Sequence, residues 1–162
     1  MSYSRLIMIA SAVLCAGPAH AVVTGDAASC AAGKPSVLVH VSGIKQGSGR
    51  LKLSIYGADR DRWLAKQGRI AKLKVPVTGT AMDVCVAVPA AGRYAVAVHH
   101  DFNLDGKRDG ADGGGYSRNP KVTLFDPKPD FEQAAFAVGK GPARVQVTML
   151  YLHGLKVAPW VS

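Results

Sequence analysis

The sequence predicts an all-β fold, an antiparallel β-sandwich of about seven strands, and three observations predict it. Apolar and polar residues alternate with a period of two through most of the chain beyond residue 21. Glycine and proline breaks recur at close intervals. No segment carries a long helical periodicity, and no internal repeat is evident.

In chain order, residues 1–21 read as a secretory signal peptide. Arg5 supplies the positive start, Leu6 to Gly17 the apolar run, and Ala19-His20-Ala21 the small-x-small cleavage site. That run of 12 residues is too short for a bilayer, which needs roughly 20. No later segment is long and apolar enough either, so the expectation is an exported chain, periplasmic or secreted, without a transmembrane segment. Residues 22–162 are 141 in number, the length of one ordinary domain.

"SVLVHV" (36–41) and "RLKLSIY" (50–56) read as half-buried strands. In the second, Leu51, Leu53 and Ile55 share one face while Lys52, Ser54 and Tyr56 share the other. The glycine-rich "GIKQGSG" between them predicts a hairpin. Residues 58–68 lack alternation and predict a short helical turn anchored by Trp63 and Leu64. Strands follow at 69–77, 81–88 and 93–100. Residues 110–129 are loop-rich, 129–138 is ambiguous, and 143–152 is a clear closing strand.

The chain is basic, with 20 Lys and Arg against 11 Asp and Glu, a formal net charge of +9. That favours attraction to anionic surfaces such as lipid headgroups or acidic polysaccharide. No nucleic-acid motif is present, and export argues against that partner. Arg50, Lys52, Arg60, Arg62, Lys66, Arg69, Lys72 and Lys74 form a basic stretch opposed by only Asp59 and Asp61. It reads first as the solvated outer faces of strands, with docking of an anionic envelope component as the alternative. Cys15 leaves with the signal, so Cys30 and Cys85 remain and predict one disulfide in an oxidising compartment. The other reading is two unpaired thiols, one of them buried.

Residues 99–112, "HHDFNLDGKRDGAD", concentrate carboxylates in this basic chain. Counting from Asp101, side-chain oxygens fall at positions 1, 3, 5, 9 and 12 as Asp101, Asn103, Asp105, Asp109 and Asp112, with Gly106 at position 6. This is the spacing of the helix-flanked calcium loop, with Asp at its last position in place of Glu. Calcium is a hard cation that takes six to eight oxygens, glycine permits the sharp turn, and a backbone carbonyl serves at position 7. Lys107 holds that place, where only its carbonyl is needed. Here the loop leaves a strand, so a structural site is expected more than a signalling switch. Asp112 is shorter than Glu, and Gly110, Gly113, Gly114 and Gly115 predict flexibility when the loop is empty, so affinity is expected on the order of 10⁻⁴ to 10⁻³ M. The competing reading is an Asp/Asn/Gly-rich loop that only makes turns.

His99 and His100 point to opposite faces of a regular strand, which disfavours a transition-metal site. One of them, His100 by its place beside Asp101, is expected to support the loop base by a hydrogen bond to Asp101, with the other exposed. No nucleophile elbow, zinc-protease helix or placeable Ser/His/Asp set is present, so a non-enzymatic reading is preferred.

"HDFNLDGKRD" after an alternating strand, then "GGGYSRNP", "PDFEQAAFAV" and a closing "ARVQVTMLYL" resemble, in order, the bacterial secreted family Domain of Unknown Function 2141. His100, Asp101, Asn103, Asp105, Gly106 and Asp109 carry its first element. Gly115, Tyr116, Ser117 and Asn119 carry its second, with Arg118 inserted, and Pro129, Phe131, Ala134 and Phe136 carry its third. Residues 110–115 stand where the family has a longer apolar connector. The resemblance spans roughly residues 37–152 and implies an exported immunoglobulin-like or transthyretin-like sandwich, with no activity implied. The functional expectation is a calcium-stabilised envelope module that binds an envelope component or another protein, with Tyr116, Arg118 and Phe125 as candidate partner contacts. The alternatives are a purely structural domain without metal and a metal-assisted hydrolase.

Overall fold

The structure, a computed structural model, describes residues 22–45 and 48–160, so the expected signal peptide lies outside the described residues. In chain order the elements are β1 (Val23–Gly25), α1 (Ala27–Ala31), β2 (Ser36–Ser42), β3 (Arg50–Tyr56), two short 3₁₀ turns (Arg60–Arg62 and Lys66–Gly68), β4 (Arg69–Pro76), β5 (Met82–Ala87) and β6 (Gly92–Asp101). They continue as β7 (Gly113–Tyr116), α2 (Phe131–Ala134), β8 (Phe136–Val138), β9 (Pro142–Thr148), β10 (Leu150–His153) and β11 (Lys156–Pro159).

Two sheets form. The smaller has the order β1-β5-β2-β9, and the larger has the order β11-β10-β7-β6-β3-β4 with β8 added on β6. The expected all-β sandwich is realised, with more and shorter strands than seven. The larger sheet is antiparallel throughout, while β1 runs parallel to β5 and β9 parallel to β2 in the smaller one. Alternation puts every second residue inward. Val37, Val39 and Val41 of β2 meet Leu51, Leu53 and Ile55 of β3 in one fully buried core with Val84, Val96 and Val147. Each such side chain contributes roughly 1.5–3 kcal/mol by leaving water.

The expected hairpin of 36–41 with 50–56 does not form. β2 lies between β5 and β9, and β3 lies between β6 and β4, so the glycine-rich connection passes from one sheet to the other. Gly43 and Gly49, at φ +67° and +106°, allow that turn. Both strands carry an apolar face, and alternation alone cannot tell partners within a sheet from partners across a core. The 143–152 strand likewise divides at the buried Met149, with β9 in the smaller sheet and β10 in the larger. The ambiguous 129–138 segment resolves into α2 and β8.

The outer face of the larger sheet is divided in two. At one end the 58–68 excursion and α2 fold over it, so that Trp63 packs against Tyr56, Tyr116 and Phe131 with ring centroids 4.9, 6.0 and 5.9 Å away. This is a second small core, with Ala95, Ala134 and Ala135 buried beneath it. The other end carries Lys52, His99 and Asp101, and over it stands the 101–112 loop.

Candidate functional site

Strand β6 delivers the loop. His99 and Asp101 take its outward positions and His100 the inward one, as the pleat requires. The loop then closes on itself through its own side chains. The Gly106 N–H donates to Asp101 Oδ1 at 3.4 Å, Asp105 N–H to Asn103 Oδ1 at 3.3 Å, Lys107 N–H to Asp105 Oδ1 at 2.8 Å, and Ala111 N–H to Asp109 Oδ1 at 2.8 Å. The Asn103 amide reaches across to Asp109 Oδ2 at 3.0 Å. Gly106 sits at φ +81°, in the left-handed region that favours glycine.

The two ends of the loop are paired with cationic or imidazole groups. Lys52 of β3 places its ammonium 2.7 Å from Asp101 Oδ2 and 3.5 Å from the Gly106 carbonyl. Both side chains are largely enclosed, with 14% and 2% exposure, so the pair is not a solvated surface contact. The Lys52 ammonium holds the Asp101 carboxyl below its ordinary range against the opposing effect of burial. At the other end, Asp112 Oδ2 lies 2.7 Å from His99 Nε2, and Asp112 Oδ1 accepts the Phe102 N–H at 3.0 Å.

His100 corrects the expectation made for it. It does not touch Asp101; it points into the core, fully buried, while its neighbour His99 takes the loop carboxylate Asp112 and is itself largely enclosed, its side chain 13% exposed. The Ser48 carbonyl, 3.0 Å away, can only accept, so His100 Nε2 carries the proton. His100 Nδ1 then accepts the Tyr151 O–H at 2.7 Å, and the Tyr151 oxygen accepts the Lys45 N–H at 2.9 Å. Burial holds His100 below its ordinary value and pushes Tyr151 up to about 12, so both are neutral at pH 7. Neither histidine hydrogen-bonds a serine, threonine or cysteine side chain among the described residues.

The donor set suits a hard cation, because it is all oxygen and carboxylate-rich. Among the described residues, however, no three His, Cys, Asp or Glu side chains gather in a metal-ligand cluster. Asp112 turns to His99, while Asp101, Asn103, Asp105 and Asp109 turn to backbone amides, to Lys52 and to each other. Lys52 thus occupies one oxygen of the carboxylate that stands first in the calcium spacing. Lys52 was legible only as an outward residue of its strand; its distance from the loop along the chain hid the pairing.

The glycines after the loop are not slack. Gly113–Tyr116 is strand β7, and a Cβ at Gly113 would run into the Tyr151 ring while one at Gly115 would run into the Thr148 carbonyl. Gly113–Gly115 thus belong to a paired strand rather than a slack loop, and Gly113 and Gly115 are glycine for close approach, while Gly114 has room for a side chain.

Of the candidate contacts, Tyr116 donates its hydroxyl to the Pro127 carbonyl at 2.9 Å. Arg118, at φ +66°, donates to the carbonyls of Glu132 and Ala135 at 3.2 and 3.0 Å. Phe125 is 91% exposed. Ser117, buried, donates to the Ala134 carbonyl at 2.6 Å and accepts the Val96 N–H at 2.9 Å, and Asn119 accepts the Thr148 N–H at 2.7 Å. The "YSRN" stretch thus ties β6, β9 and α2 together. Cys30 and Cys85 form a disulfide with Cα atoms 6.2 Å apart.

A search of curated proteins returns no match, and a search of solved structures returns none either. One family model matches residues 39–146, from β2 through most of β9 and with the whole loop inside it, and by that match the chain belongs to the family described as an uncharacterized protein conserved in bacteria (DUF2141).

Proposed function

We propose that the chain is an exported, non-catalytic sandwich module of the bacterial cell envelope whose 101–112 loop takes up calcium in exchange for the Lys52 ammonium. The observation that carries the reading is the loop's own closure. Gly106 N–H donates to Asp101 and the Asn103 amide to Asp109, so the loop is drawn together between positions 1 and 6 and between positions 3 and 9 of the calcium spacing. Lys52 supplies one positive charge to Asp101 in the absence of metal; a divalent ion supplies two. The disulfide agrees with an oxidising compartment, as export requires.

Thermal unfolding of the purified chain tests this, with about 10 mM calcium against chelator. At a dissociation constant of about 10⁻⁴ to 10⁻³ M the gain is about 1.4 to 2.7 kcal/mol, a rise in midpoint of roughly 4 to 10 °C. The Asp101→Ala, Asp105→Ala double variant, compared with itself in the two buffers, loses that rise, and Asp105→Asn alone reduces it. Equal midpoints for the native chain in calcium and chelator overturn the reading.

A further inference from the structure

The end of the larger sheet's outer face that Trp63 and α2 leave open is a hollow of about 380 Å³, lined by eight lysine and arginine side chains and a single carboxylate. β4 contributes Arg69, Lys72 and Lys74, and β3 contributes Arg50 and Lys52. Lys66 stands in the turn before β4, and Lys107 and Arg108 stand in the loop wall. The carboxylate is Asp101, already paired with Lys52. None of the other seven cations enters an ion pair among the described residues.

This crowding costs stability. Lys52 stands directly across from Lys74 on the neighbouring strand, where like charges repel. Surrounding cations, Lys74 foremost, hold the Lys72 ammonium below its ordinary value. Lysines on an edge strand guard against edge-to-edge pairing, and β4 is an edge. Lys72 and Lys74 suffice for that purpose. It does not explain why Lys66, Lys107 and Arg108 face the same hollow from two other segments.

We infer that the hollow is the docking surface for a linear acidic polysaccharide, held through its carboxylate or sulfate groups. Three features choose this occupant. The floor is recessed between the loop and the 66–69 turn, so a single chain reaches the enclosed Lys52 as well as the exposed Lys72 and Lys74, where a flat bilayer meets only the exposed pair. No Phe, Tyr or Trp lines the hollow, so the bases of a single-stranded nucleic acid have nothing to stack on. The cations rise from the sheet face rather than from its edge, so a peptide added as a strand beside β4 lies out of their line.

The test is binding of polygalacturonate to the full chain in chelator, with uncharged dextran, phosphatidylglycerol vesicles and polyglutamate as comparisons. Chelator removes calcium bridging, so this result and that of the calcium experiment stand or fall separately. Polygalacturonate is expected to bind and dextran not to. Affinity should drop about tenfold or more between about 50 and about 200 mM salt. Lys72→Glu with Lys74→Glu, both at exposed positions, weakens binding about tenfold or more, and Lys66→Gln with Lys107→Gln weakens it from the opposite walls. Lys140→Glu with Arg144→Glu, exposed and remote from the hollow, changes it less than about twofold. Absence of binding, equal loss in the remote variant, or tighter binding to vesicles or polyglutamate overturns the inference.

Discussion

At Asp101 a single carboxylate faces two claims, the ammonium of Lys52 and the cation its loop spacing suits, and the outcome depends on a residue far away in the chain. The carboxyl is held below its unfolded value of about 3.9. Its contribution to stability is therefore fully present above that value and is lost as the pH falls through the lower folded value. Lys52→Met removes the largest cause and leaves burial, which raises the carboxyl, opposed only by the Gly106 N–H and His99, so the carboxyl titrates higher than in the native chain and acid unfolding of the variant in chelator should begin at higher pH. The same variant removes the competitor for the metal. Its midpoint should rise more on calcium addition than the native chain's, and an increment no larger than the native one would mean that Lys52 does not hold the cation's place. Spacing along twelve consecutive residues made the loop carboxylates legible. Lys52, Tyr151 and Ser48 were not, because what pairs them with Asp101 and His100 is the register of separate strands and the path of a loop, which no local pattern records.

Elements were legible in proportion to how far their pattern is local. The alternation in 36–41 and 50–56 marked both as strands and set Leu51, Leu53 and Ile55, which do line the core, on one face, yet Ser54 and Tyr56 of the other face are buried as well, and the two strands belong to opposite sheets rather than one hairpin. α2 and β8 escaped assignment because each is three or four residues long and is held by distant groups rather than by periodicity. Trp63 Nε1 donates to the Pro129 carbonyl at 2.7 Å, Arg60 and Arg93 both pair with Glu132 at 2.6 Å, and Asp130 and Gln133 form a reciprocal cap. Ser117 is the hinge of this arrangement, since its buried hydroxyl joins β6 to α2. Ser117→Ala strands the Ala134 carbonyl and the Val96 N–H in a closed site. The expected loss is about 1–3 kcal/mol, or a midpoint lower by roughly 3 to 10 °C. Faster hydrogen exchange at the Val96 amide should accompany it. An exposed serine, such as Ser48, has no such pair of buried partners, so an equally small change at both positions would refute the assigned role.

Across the whole molecule, the N-terminal segment is the part whose attachment least resembles a core. α1 buries no residue, and β1 adds only three register pairs along the outside of β5. Three polar contacts help: the Asp26 N–H donates to the Cys85 carbonyl and the Ala87 N–H to Asp26 Oδ2, each at 2.9 Å, and the Thr24 hydroxyl donates to the Asp83 carbonyl at 3.2 Å. The Cys30–Cys85 disulfide, across 55 residues of sequence, supplies the remaining restraint. Chain-entropy arguments put such a loop at about 4 kcal/mol, and native segments that can fray recover part of it. Cys30→Ser with Cys85→Ser should therefore lower the unfolding free energy by about 2–4 kcal/mol, read as a lower urea midpoint, with a steeper slope where the freed denatured chain expands. Hydrogen exchange should show protection lost first in residues 22–34, while β2, β3 and β6 keep theirs because their side chains fill the shared core. An unchanged urea midpoint, or simultaneous loss of protection in all of these strands, would mean that the N-terminal segment is integral to the sandwich rather than tethered to its edge.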